Sequence, residues 1–413
     1  MSKKLPAISP LAPAHFPKMP AIAGVCFSAV AAGLKYKGRK DLFLASLAKG
    51  TSVAGVFTRS KTASAPVSWC RANLKDGKGR AVIVNAGNAN AFTGAAGMDT
   101  VEVTAAAAAK ALGCKKSDVF VASTGVIGES FDGLLIAKWV QNLAKSSKQG
   151  NWKPAAEAIS TTDTFLKASS ATAQINGKTV TIGGISKGSG MIAPDMATML
   201  AFVFTDAKIP AGVLQKLLSA SNKKSFNAIT VDSDTSTSDT CLLFATGQTA
   251  HQKITQASDP ALKDFKAALD KVMLDLAHQI VRDGEGASKF ITVNVEGAEN
   301  ATAAKRIALS IANSPLVKTA IAGQDANWGR VVMAVGKAGE QADRDTMRIQ
   351  FGPHIIANEG GAVPDYDETP VAKYMQGDEI EITTHVGIGR GKATVWTCDL
   401  THGYIDINAD YRS

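Results

Sequence analysis

Lys187 to Phe202 reads Lys-Gly-Ser-Gly-Met-Ile-Ala-Pro-Asp-Met-Ala-Thr-Met-Leu-Ala-Phe, and the rest of the chain is organised around it. Gly183 and Gly184 before it, with Gly188 and Gly190 inside it, open backbone angles closed to other residues. Pro194 stiffens the chain shortly before Thr198, and the apolar run from Met199 to Phe204 suits a buried strand. Thr198 therefore stands where a glycine-rich loop meets a rigid element, a place to hold a nucleophile while substrate approaches. A threonine hydroxyl needs a group to take its proton. The six histidines are scattered and none lies near Thr198 in sequence. Scission of the Ala197–Thr198 bond would supply the base, because the freed α-amine has a pKa of about 8. On residue type alone, Thr198 equally reads as a threonine opening a β-strand.

Upstream of this stretch, Pro6, Pro10, Pro13, Pro17 and Pro20 make residues 1–20 an extended or irregular arm. From Gly24 to about Arg71, short apolar runs (29–32, 42–47, 53–57) alternate with turn residues and predict short strands. Ala81 to Val84 is a buried strand ending in an amide-rich loop, Asn85-Ala-Gly-Asn-Ala-Asn-Ala-Phe-Thr-Gly94, which reads as a structural turn. Thr100 to Leu112 predicts an alanine-rich helix. Val119 to Ala122 is a second buried strand, ending in Ser123-Thr124-Gly125-Val126-Ile127-Gly128. A strand end carrying Thr-Gly can be a plain turn or an oxyanion site made by the Gly125 N–H and the Thr124 hydroxyl. Helices are expected at 134–146 and 154–159. Thr161-Thr162-Asp163-Thr164 reads as a helix cap or an Asx-turn. Strands near 172–175 and 179–182 form a hairpin around Asn176-Gly177. Lys187, on its glycine loop, has the charge to hold a substrate carboxylate; the order required of a phosphate loop is absent.

Downstream, 210–221 predicts a helix, and Asn227 to Thr240 is rich in oxygen ligands without the glycine and terminal glutamate of a calcium loop. Leu262, Phe265, Leu269, Val272, Met273, Leu276 and Ile280 recur at helical spacing, so 259–282 is a long amphipathic helix. It ends in Arg282-Asp-Gly-Glu-Gly-Ala-Ser-Lys-Phe290, where Glu285 between two glycines is either a solvated turn residue or a grip for an amino group. A strand at 291–295, a helix at 301–312 and strands near 347–351, 379–384 and 392–397 predict a second sheet. The alternation overall says mixed α/β.

The chain has 413 residues, 45% hydrophobic and 20% charged, an ordinary globular balance. Its formal net charge of +9 is dispersed, with no basic run interleaved with aromatics, so no nucleic-acid partner is expected. Five separated cysteines (Cys26, Cys70, Cys114, Cys241, Cys398) fit a reducing cytoplasm and show no zinc spacing, so no metal is expected. No apolar run is long enough to span a bilayer.

The Lys187–Phe202 stretch resembles the self-cleavage signature of the ornithine acetyltransferase family, also called glutamate N-acetyltransferase, of arginine biosynthesis. Asp195 stands where that family often has Asn. The likeness extends from about residue 18 to the end, and the family often has Cys at the position of Phe92. It implies an α/β fold of stacked sheets flanked by helices, cut into an alpha chain (1–197) and a beta chain (198–413) with Thr198 as nucleophile. The resemblance of Ser-Thr-Gly-Val-Ile-Gly assigns Thr124 and Gly125 to the oxyanion hole. It assigns substrate contacts to Thr162 (with Thr161 as the alternative), Lys187, Thr198, Glu285, Asn408 and Ser413. Ser288 and Ser413 stand where the family often has Thr, and Ser314 to Arg330 is read as structural support. The implied reaction transfers acetyl from N2-acetylornithine to glutamate without a cofactor; acetyl-CoA stays open as a co-substrate. The implied assembly is a cytoplasmic heterotetramer of two alpha and two beta chains. Two other readings use the same residues: an amidase or aminopeptidase passing the acyl group to water, and a ligand-binding protein that never cleaves.

Overall fold

The computed structural model describes residues 7–35, 37–193 and 199–409. Ala197, Thr198 and Ser413 lie outside the described residues, and so does the scissile bond. The chain divides into two compact units: Ala14–Asn227 with Asp234–Ile280, and Met1–Pro13 with Ala228–Ser233 and Val281–Ser413.

The first unit runs β1 (Val25–Val30), β2 (Leu42–Leu47), β3 (Ser52–Phe57), α1 (Ala65–Asn73), β4 (Ala81–Asn88), α2 (Gly94–Leu112), β5 (Val119–Val126), α3 (Leu134–Ser146) and α4 (Trp152–Ile159). It continues with β6 (Lys167–Ile175), β7 (Lys178–Lys187), β8 (Leu200–Ala207), α5 (Ala211–Lys224), β9 (Thr240–Thr249) and most of α6 (Lys263–Arg282). The strands form two sheets, ordered β1-β2-β4-β5 and β3-β9-β8-β7-β6.

The strands of the four-stranded sheet are apolar over most of their length because that sheet is covered on both faces. Phe43, Ala45, Val82, Val84, Phe120 and Ala122 join Phe202, Phe204 and Phe244 of the other sheet in one cluster. The alternate residues Leu42, Leu44, Ala81, Ile83, Val119 and Val121 pack with the apolar faces of α2 and α3. Rings fill the gap between the sheets: Phe27 and Trp152 lie 4.6 Å apart, and Phe204 stacks on Phe244 at 5.4 Å. The expected stacked sheets flanked by helices are thus present.

The hairpin turns at Asn176 and Gly177, both at positive φ (49° and 72°), as a two-residue loop requires. β7 and β8 pair antiparallel with Lys187 opposite Leu200, so the signature stretch leaves one strand and re-enters its neighbour at the same level. α6 covers the edge strand β6, where the Gln279 side chain bonds both the N–H and the carbonyl of Ala168 at 3.1 Å. Its apolar spacing is realised: Phe265, Leu269, Val272, Met273, Leu276 and Ile280 are all buried.

The second unit holds β10 (Phe290–Ala298), α7 (Ala301–Ala312), α8 (Pro315–Ala322), α9 (Trp328–Gly336), β11 (Arg348–Phe351), β12 (His354–Asn358), β13 (Gly361–Ala362), α10 (Thr369–Tyr374), β14 (Glu379–His385), β15 (Gly391–Cys398) and α11 (His402–Asn408). Its six-stranded sheet is ordered β13-β12-β11-β14-β10-β15. Asn300 caps α7 by accepting from the Thr302 and Ala303 N–H groups. The buried faces of α7, α8 and α9 pack on the sheet through Ile307, Ile311, Val317 and Val331.

One expectation needs correction. The strand-rich reading of Gly24 to about Arg71 holds for β1 to β3, but 65–73 is helical. Pro66 suits the first turn, and Val67 and Cys70, three residues apart, face inward. The tail also forms a helix, α11. Among the described residues no helix is long and apolar enough to cross a membrane.

Candidate active site

β4 and β5 run parallel and end together, with Gly87 level with Gly125. Gly125 has φ +129°, and a Cβ there would lie 2.2 Å from the Gly87 carbonyl carbon. Only glycine fits, which explains the Thr-Gly pair at this strand end. The amide-rich loop after β4 locks the neighbouring strand end. Asn85 donates to the Asn88 carbonyl and accepts from Ser123 Oγ at 2.6 Å, and Asn88 donates to the Glu129 carbonyl at 2.8 Å. The Asn85–Asn90 amides are therefore structural, as their sequence suggested, and what they brace is the Thr124–Gly125 end.

Lys187, last residue of β7, is only 3% exposed. Its Nζ donates to Thr124 Oγ1 at 3.2 Å. The Thr124 hydroxyl accepts from the ammonium and keeps its own proton to donate. A buried ammonium is costly without an opposite charge, and Asp163 provides one nearby. Asp163 Oδ1 accepts from Lys167 Nζ at 2.6 Å and from the Gly188 N–H at 2.8 Å, while Oδ2 accepts from the Thr161 N–H at 2.9 Å. Burial alone would push this carboxyl up. The Lys167 and Lys187 ammonium groups and the Gly188 N–H outweigh that and hold it well below the usual carboxylate range.

Asp163 is thus an anionic hub between two buried lysines, not the helix cap its sequence suggested. Thr162, beside it, shares a 2.6 Å hydrogen bond with Ser189 Oγ. Arg39 donates to the Thr161 carbonyl at 3.2 Å, tying the same segment down. Thr124, Lys187 and the Thr162–Asp163 pair are therefore linked through β5, β7 and the segment after α4.

Sequence reasoning passed over Asp163 and Lys167 as site components. The signal was present: a Thr-Thr-Asp-Thr run followed by a lysine four residues after the aspartate, in a segment too apolar to leave that charge unpaired. It also passed over Asp239, whose Oδ1 accepts from the Met199 N–H at 2.9 Å.

In the second unit Glu285 sits in the turn between α6 and β10. It is 8% exposed and accepts from Asn408 Nδ2 of α11 at 2.7 Å, so two of the substrate-binding candidates are brought together. Asp399 holds this turn, accepting from the Ser288 and Lys289 N–H groups at 2.8 and 2.9 Å and from Ser288 Oγ. Thr401 Oγ1 donates to the Gly286 carbonyl at 2.6 Å. Gly286 has φ +75°, and a Cβ there would lie 2.5 Å from the Tyr404 nitrogen. The Ser288 hydroxyl, where a threonine was the expectation, is used in this clamp. Much of Gly323–Gly329, read as structural support, is exposed or half-exposed.

A braced strand-end Thr–Gly pair whose threonine hydroxyl accepts from a buried lysine ammonium, on stacked sheets of an α/β fold, is an arrangement able to stabilise developing negative charge. The chain belongs to the ArgJ family, whose profile matches residues 26–413. The arginine biosynthesis bifunctional protein ArgJ of Brucella suis biovar 1 (strain 1330) is 58% identical over 410 residues, 98% of this chain and 99% of that protein. The protein of the same name from Rhizobium meliloti (strain 1021) is likewise 58% identical over 410 residues, with the same coverage. Among solved structures, the arginine biosynthesis bifunctional protein ArgJ of Bacillus halodurans is 41% identical. It covers 49% of this chain and 95% of that chain at a TM-score of 0.48. The family expected from the signature stretch is the family found.

Proposed function

We propose that the protein is an acetyltransferase of arginine biosynthesis that moves acetyl from N2-acetylornithine to glutamate through an acetyl-threonine. The supporting observation is the buried contact between Lys187 Nζ and Thr124 Oγ1 beside Gly125, which leaves the Thr124 proton to meet developing negative charge. Cleavage of Ala197–Thr198 frees an α-amine that takes the proton from the Thr198 hydroxyl. That oxygen attacks the acetyl carbonyl, and the tetrahedral oxyanion receives hydrogen bonds from the Thr124 hydroxyl and the Gly125 N–H. The C–N bond breaks, the leaving amine takes the proton from the Thr198 ammonium, and ornithine departs. The α-amine of glutamate then attacks the ester carbonyl, and N-acetylglutamate leaves with the threonine hydroxyl restored.

Lys187 and Thr162 are assigned to substrate binding in the first unit, and Glu285, Asn408 and Ser413 in the second. The carboxylate of Glu285 suits a substrate ammonium, and Lys187 suits a carboxylate. Acetyl-CoA is assigned as a second acetyl donor, consistent with the word bifunctional in the relatives' names. No cofactor is needed. The two proposed chains would stay assembled, because β7 precedes and β8 follows the cut and the two are hydrogen-bonded neighbours. The mature form is taken as a cytoplasmic heterotetramer of two alpha and two beta chains.

The deciding experiment incubates purified protein with acetylornithine, with and without glutamate, beside Thr198→Ala. The expected result is N-acetylglutamate formation that requires glutamate, and a Thr198→Ala chain of full length and no activity. Acetate released at the same rate without glutamate would establish the amidase reading instead. A cleaved Thr198→Ala chain would refute the nucleophile.

A further inference from the structure

Asp239 stands at the head of β9, fully buried. Oδ1 accepts from the Met199 N–H at 2.9 Å, and the Met199 carbonyl accepts from the Thr240 N–H at 3.1 Å. Both backbone groups of Met199 are thus held by two successive residues of another strand. Oδ2 has no partner among the described residues. The Thr58 hydroxyl beside it spends its proton on the Ser236 carbonyl at 2.6 Å. Burial pushes this carboxyl well above the usual range, against the opposing pull of the Met199 N–H, the Lys187 ammonium and the nearby Thr58 hydroxyl.

A carboxyl oxygen at zero exposure with no partner among the described residues costs stability, and buried polar groups of that kind call for an explanation. Packing does not supply one. The backbone pairing of β8 with β9 begins at Leu200 and Thr240 and continues for six residues without the side chain. What the side chain adds is control of one peptide, that of Met199, which is bonded directly to residue 198.

We infer that Asp239 is a positioning residue of the acyl-transfer site, fixing the backbone that carries the nucleophile by accepting from the Met199 N–H. This rests on the reading of Thr198 above. The Met199 N–H belongs to the peptide that joins residues 198 and 199, so holding it fixes the plane of that peptide, in which the Thr198 Cα lies about 2.4 Å from the nitrogen. Misplacement by about 1 Å costs an enzyme on the order of 100-fold in rate. The role requires an acceptor at Oδ1 and no negative charge, which distinguishes it from a general base.

The test compares Asp239→Ala and Asp239→Asn in the full chain, with Thr198→Ala alongside. Self-cleavage is followed by mass spectrometry, and the mature protein is assayed for kcat, KM and their pH dependence. Asp239→Ala is expected to slow cleavage and lower kcat at least about 10-fold with KM within about twofold. Asp239→Asn, which keeps an acceptor, is expected to restore both to within about threefold with an unchanged pH profile. Wild-type cleavage and kcat in Asp239→Ala would overturn the inference, as would an Asn variant as slow as the Ala variant. If Asp239→Ala does not fold, Asp239→Asn decides: normal kcat and pH profile support the inference, and a lost or shifted profile refutes it. Cleavage requires no substrate, so a wrong assignment of acetylornithine leaves that readout intact. A wrong nucleophile shows instead as cleavage of Thr198→Ala.

Discussion

Replacing Asp163 by Asn tests the electrostatic logic of the site at its centre. Asn keeps the size of the side chain and an acceptor for the Gly188 N–H, but removes the charge that faces Lys167 and Lys187. The Lys167 side chain is fully buried and its Nζ lies 2.6 Å from Asp163 Oδ1. It also donates to the Phe165 carbonyl at 3.3 Å and lies 4.8 Å from the Phe165 ring centroid, neither of which carries a full charge. Breaking a buried pair from one side costs about 3–5 kcal/mol, because the surviving ion stays buried without its partner. For a unit of this size that corresponds to a fall in Tm of the order of 10 °C.

The pH dependence has a definite sign. The folded pKa of Asp163 lies below its unfolded value of about 3.9. Its contribution is therefore fully present above that value and is lost as pH falls below it toward the folded pKa. Thermal unfolding of wild type and Asp163→Asn at pH 7, 5, 4 and 3 should show a large gap at pH 7 that narrows below pH 4. The double variant Asp163→Asn/Lys167→Met, which removes one of the two ammonium charges that Asp163 faces, should recover part of the loss. Equal Tm values at pH 7, or a double variant no better than the single, would refute the account.

Two further outcomes follow from the geometry. Thr124→Val should lower kcat about 10²–10³-fold while leaving the fold intact, with Thr124→Ser recovering most of it, since only the hydroxyl is at issue; steady-state kinetics beside circular dichroism checks this. Asp399→Ala strips acceptors from the Ser288 and Lys289 N–H groups and loosens the turn that carries Glu285. It should raise KM for glutamate about 10-fold and change kcat less; an unchanged KM would separate Glu285 from substrate binding.

How much of this was legible in the chain depends on the range over which each signal acts. Strands such as 42–45 and 119–122 declare themselves because both faces are buried and nothing polar interrupts these runs. The helix 263–282 does so because its apolar spacing runs for several turns. The helix at 65–73 is a single short stretch with two inward residues, too brief for periodicity to separate from the strands before it. The short helices of the second unit, 315–322 and 402–408, carry side-chain caps at Ser314 and Thr401, but each is too brief for apolar periodicity to mark it.

The site divides along the same line. Gly125, Thr124 and Lys187 were singled out by the family resemblance of their motifs; the residues alone left the Thr–Gly pair open between a plain turn and an oxyanion site. The residues that make Lys187 tolerable where it is were not found that way. Asp163 lies 24 positions from Lys187, and Asp239 lies 40 from the Met199 whose N–H it accepts; only folding joins them. Burial converts such pairings from weak surface contacts into requirements, because an ammonium that water would have solvated must find its carboxylate inside. A buried lysine beside the Thr124–Gly125 strand end therefore implies a carboxylate elsewhere in the chain. Its position becomes apparent only once β7 and the segment after α4 are laid side by side.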